Sequence, residues 1–130
     1  MMKNTLAAAV VVMLTSMAAA HEMSPTYPVL RSSFVSGIKT TEMSVLNKRS
    51  DIDYYKIDVF DKDWNPINFV SDKPATIKVG YMKKAIFNIY IKNEDALRVE
   101  YICSLSRALK NDIRSTSVQS RICSRVSNSQ

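Results

Sequence analysis

Glycine is almost missing from this chain: Gly37 and Gly80 are the only two in 130 residues. Their scarcity excludes the glycine-rich loops that cradle phosphates or bind dinucleotides. Histidine is scarcer still, since His21 stands alone, so no cluster of imidazoles or Cys-His ligands at zinc spacing is available. No Gly-x-Ser-x-Gly or Cys/His pair marks a nucleophile. Acid-base work would fall to carboxylates, and no convergent pair stands out. These absences argue against an enzyme and against a resident metal or cofactor. Sustained helical periodicity is also lacking after residue 20; only Ser104 to Ile113 admits a helical spacing.

The one long apolar run lies at the start. Met1 to Ala20 carries a single basic residue, Lys3, then apolar positions through Leu14, then Ala18-Ala19-Ala20 where a signal peptidase reads. This is the pattern of a secretory signal peptide. A spanning helix needs about 20 apolar residues, and Thr15 and Ser16 interrupt this stretch. The division expected is therefore 1–20 as signal peptide and 21–130 as one exported domain with no membrane span after processing. Cleavage after Ala20 would make His21 the first residue. Its amine and ring could then offer nitrogen ligands to Cu²⁺; otherwise it simply begins a frayed end.

Export gives the cysteine count meaning. Two cysteines in an oxidising compartment read first as one disulfide, Cys103–Cys123. The net charge of +6 falls to +5 without Lys3, which would permit an anionic partner. Yet acids are interspersed, as in Lys48-Arg49-Ser50-Asp51, and no basic run carries interleaved aromatics, so a solvated mixed surface is expected and nucleic acid is not.

What the chain does have is period-two alternation. Tyr54 to Asp61 alternates strictly, with Tyr55, Ile57 and Val59 on one face. Phe87, Ile89 and Ile91 line another strand, and Met43 to Asn47 and Thr76 to Val79 add two more. The segment from His21 to Leu30, punctuated by Pro25 and Pro28, suits an irregular edge strand because proline cannot donate to a ladder. Turns are expected at Phe34 to Gly37, at Asp61 to Pro66 and at Asn93 to Asp95, with Trp64 packing back over the second. A Ca²⁺ loop at Asp61-Lys62-Asp63 is disfavoured, because the glycine and distal glutamate of that pattern are missing. Finally, Leu97 to Ser104 and Val118 to Val126 form an antiparallel pair that sets Cys103 opposite Cys123, with Cys123 sharing a face with Gln119, Arg121 and Arg125. The fold class is all-β: a single immunoglobulin-like sandwich of about seven strands with one disulfide.

The order of these segments resembles the amino-terminal, PapD-like domain of periplasmic pilus-assembly chaperones. The likeness covers roughly Met23 to Val126: a Ser-Pro-Thr opening, the strand closing in Asn47, the Tyr54 to Phe60 strand with its Asp/Asn turn, Pro74-Ala75-Thr76-Ile77, Phe87 to Ile91, and Ser120-Arg121-Ile122 in the last strand. The resemblance implies an exported protein that adds its last strand to an incomplete pilin-like or envelope subunit. It also implies a disulfide between the last two strands, as Cys103 and Cys123 would supply. The partner-binding residues carried over are Val118, Ser120, Ile122 and Val126. Thr26, or a neighbour, and Cys123 stand where the family's client-binding arginine and lysine would be expected. The alternative function is a secreted immunoglobulin-like structural subunit of a surface appendage or particle.

Overall fold

Tyr55, Ile57 and Val59 do share a face: they are 0%, 2% and 1% exposed in the computed structural model, which describes residues 21–107 and 119–127. The expected signal peptide and Val118 lie outside those residues. Among the described residues there are nine strands and one helical turn. They are β1 (Glu22–Ser24), β2 (Arg31–Ser32), β3 (Ile38–Leu46), β4 (Tyr54–Phe60), β5 (Val70–Ser71), β6 (Thr76–Lys78), β7 (Lys84–Lys92), α1 (Asn93–Ala96), β8 (Tyr101–Arg107) and β9 (Arg121–Arg125).

Every pairing is antiparallel. One sheet runs β1-β3-β7-β5, with β2 also on β3; the other runs β6-β4-β8-β9. The two inner faces meet as a sandwich. Met43, Val45, Phe87, Ile89 and Ile91 from the first sheet pack in one core with Tyr55, Ile57, Val59 and Ile102 from the second. The strand count exceeds seven because the first strand is broken, β1 and β2 being separated by Pro25 and Pro28, neither of which can donate a ladder bond, and because the short β5 adds itself beside β7.

Two local expectations change. The segment from Leu97 is not yet strand: α1 makes a single turn, Leu97 is left 86% exposed, and β8 begins at Tyr101. The helical spacing from Ser104 is not used through Arg107, since β8 holds those residues in register with β4 and β9; the remainder, 108–113, lies outside the described residues. After the Asp61 to Pro66 turn, Ile67 is buried but lies outside any strand. Its N–H donates to the Val59 carbonyl at 2.8 Å, next to an isolated bridge between Phe60 and Pro66.

Candidate functional site: the outer edge of β9

Ladder phase determines what β9 presents. The Ser106 N–H donates to the Ser120 carbonyl at 2.9 Å, and the Val126 N–H donates to the Glu100 carbonyl at 2.8 Å. With Cys103 opposite Cys123, this phase makes Ser120, Ile122, Ser124 and Val126 the residues that exchange hydrogen bonds with β8. Arg121, Cys123 and Arg125 occupy the alternating pairs that exchange none, so their N–H and C=O groups point away from β8. The Cα atoms of Cys103 and Cys123 are 4.0 Å apart, the close approach such pairs have, and the disulfide forms.

Part of this outer edge is taken. The Arg125 N–H donates to the Thr26 carbonyl at 3.0 Å and the Ser127 N–H to the Pro28 carbonyl at 2.8 Å. The segment after Pro25 therefore runs parallel beside the end of β9. β1 approaches β9, but no strand other than β8 pairs with it among the described residues, so the stretch without a ladder partner is centred on the main chain of Arg121 and Cys123.

The side chains of β9 divide between two faces. Ser124 and Val126 are buried, Ile122 is half-buried against the core, and Ser120 is half-buried in a polar cluster. Thus Ser120, Ile122 and Val126 come together on the inner face, and Val118 lies outside the described residues. On the outer face the Arg125 Nε donates to Glu100 at 2.8 Å. The guanidinium of Arg121 sits 5.4 Å from the centre of the Phe60 ring. Beside it Trp64 stacks on Tyr101, with centroids 4.3 Å apart and planes within 3° of parallel, so Trp64 packs back over its turn. Asp61 holds that turn: its carboxylate accepts from the N–H groups of Asp63 and Asn65, both at 2.9 Å, and these bonds keep its pKa below the usual value, that to Asn65 foremost.

The polar cluster behind Ser120 contains a residue that sequence reasoning placed elsewhere. His21 is not frayed; it is buried ahead of β1. Its Nε2 lies 2.7 Å from the Ser104 hydroxyl and its Nδ1 3.3 Å from the Ser120 hydroxyl. Ser120 is further fixed by its N–H, which donates to the Ser106 hydroxyl at 2.8 Å. Burial lowers the His21 pKa, opposed by the Ser104 carbonyl and assisted by the charge of Arg49. Both ring nitrogens are thus engaged by serine oxygens, and among the described residues no three His, Cys, Asp or Glu side chains gather as a metal site. The chemistry of this arrangement is hydrogen bonding along a strand edge. Alternation in the stapled pair was the sequence signal for the inward serines; nothing local signalled His21.

No known family model matches the sequence, and no curated protein matches it. Solved structures do. The E. coli chaperone DraB superposes with a TM-score of 0.59 at 14% identity, over 82% of this chain and 53% of that one. A structure of the Salmonella enterica SafA pilin in complex with the SafB chaperone gives a TM-score of 0.60 at 10% identity, over 82% of this chain and 52% of the matched one. The fold is PapD-like. The chain spans about half the length of each chain that it matches. No helix among its described residues is long and apolar enough to cross a membrane.

Proposed function

We propose that this chain is an exported, periplasmic binding domain that assists assembly of a pilus or another envelope or surface complex by pairing β9 with a strand of a protein partner. One observation carries the reading: β9 ends its sheet with the N–H and C=O groups of Arg121 and Cys123 directed outward. A sheet edge of this kind is a template for an added strand. An incoming strand would extend the inner face beside Ser120 and Ile122, so apolar side chains on that strand would cover the half-exposed flank of Ile122. Val126 would act from within, holding the end of β9 against the core. A pilin-like subunit is the partner class that the chaperone likeness supports. The role needs no catalytic group.

A photo-crosslinking residue at position 121, introduced into the protein in periplasm, tests this. The expected result is a covalent adduct with a pilin-like or envelope subunit. Absence of any adduct at position 121, with the folded protein present, overturns the reading. Recovery of the chain as a stoichiometric component of purified filaments would instead make it a structural subunit.

A further inference from the structure

Away from β9, on the outer face of the other sheet, lies an apolar groove of about 470 Å³. Ile38, Phe69, Val70 and Tyr90 line it, Val35 stands among them, and Lys92 and Asp95 add one charge of each sign. Next to Val35 is Phe34, whose side chain is fully exposed. Exposed aromatics are commonly incidental, but this one is held in place. The Ser33 hydroxyl donates to the Ile38 carbonyl at 2.8 Å and accepts from the Val35 N–H at 3.1 Å. The Ser33 N–H also donates to the Ile38 carbonyl, at 3.0 Å, and Gly37 closes the turn at φ +80°. The loop thus presents an aromatic knob in water without needing to be ordered on contact.

A knob adjoining a groove on one molecule is the arrangement a two-fold contact uses, since each copy then offers the knob that the other receives. We propose that two copies of this chain associate across this face, each Phe34 seated in the groove of the other. The groove charges are compatible with the same symmetry: with one charge of each sign on each copy, Lys92 of one copy would meet Asp95 of the other, and Asp95 would meet Lys92. Within its own chain Asp95 bonds Arg98 at 2.7 Å, so Lys92 would join an existing pair. The contact leaves β9 clear, because the groove belongs to the sheet that does not contain it. Dimerisation is therefore separable from strand addition.

Sedimentation equilibrium on the purified protein, from low to high micromolar concentration, tests the proposal. Wild type should shift from monomer to dimer and no further. Phe34→Asp should weaken self-association by roughly thirtyfold or more, the loss expected of a central aromatic anchor, with an unchanged melting temperature at concentrations where the wild type is monomeric, because Phe34 is fully exposed. Lys92→Glu should weaken it to a lesser extent. A wild-type protein that stays monomeric throughout, or a Phe34→Asp protein that dimerises as well as wild type, overturns the proposal.

Discussion

The ring of His21 lies 4.5 Å from that of Tyr55, tilted by 51°, and joins the residue ahead of β1 to serines of the stapled pair. Its contacts fit the neutral tautomer in which Nε2–H donates to Ser104 and Nδ1 accepts from the Ser120 hydroxyl. One imidazole thus closes the sandwich at the flank where β1 approaches β9.

Stability should therefore fall as pH drops through the histidine range. The folded pKa of His21 is lowered from 6.5, chiefly by burial, so the unfolded chain takes the proton first. The stabilisation is present above about 6.5 and is lost progressively below it. Asp51, Asp61 and Asp72, all held below their usual 3.8 by hydrogen bonds, keep their contributions through this window and lose them only in stronger acid. Urea denaturation at stepped pH between about 7.5 and 5 would read the loss. His21→Gln should flatten the slope, and an equal slope in the variant would assign it to another group.

Asn47 should be among the least replaceable polar residues. It is buried, and its Nδ2 donates to the carbonyls of Ile52 at 2.7 Å and Val79 at 2.8 Å, while its Oδ1 accepts from the Arg49 N–H at 2.8 Å and from the Tyr55 hydroxyl. Asn47→Leu would leave several buried groups unpaired, each costing about 1–3 kcal/mol. Tyr55→Phe removes one partner only and should cost about 1–2 kcal/mol. Denaturant titration of the two variants checks that ordering.

The disulfide joins residues 20 apart in sequence. Closing such a loop contributes about 3 kcal/mol in the chain-entropy model. Cys103→Ser with Cys123→Ser should lower the melting temperature by more than about 10 °C for a domain of this size. An unchanged melt would mean the bridge adds nothing to the fold.

What the sequence disclosed was whatever repeats every second residue. The buried faces of β4 and β7, the Cys103–Cys123 register and the outward placing of Arg121, Cys123 and Arg125 all follow from alternation plus one covalent constraint. Long-range polar partners were illegible. His21 bonds Ser104 and Ser120 at separations of 83 and 99 residues, and Asn47 reaches 32 residues to Val79. No window of neighbouring residues contains those pairs. Leu97 misled for the opposite reason: as an apolar residue before a strand it reads as strand, but the turn of α1, tied by Asp95 to Arg98, leaves it in solvent. The main-chain edge at β9 needed the ladder phase, which alternation alone does not fix.

That phase makes a sharp prediction about proline. At Arg121 the N–H points away from β8, so Arg121→Pro deletes an edge donor without removing a ladder bond. At Ile122 the N–H belongs to the exchanging pair with Ser104, so Ile122→Pro breaks the sheet. Arg121→Pro should melt within a few degrees of wild type yet fail to retain its partner during purification from periplasm. Ile122→Pro should lose stability first, and its failure to bind would be uninformative about the edge. Arg121→Ala separates the guanidinium from the main chain: it keeps the N–H and should keep most of the binding. If Arg121→Pro and Arg121→Ala retain the partner equally, hydrogen bonding by this edge is not what holds it.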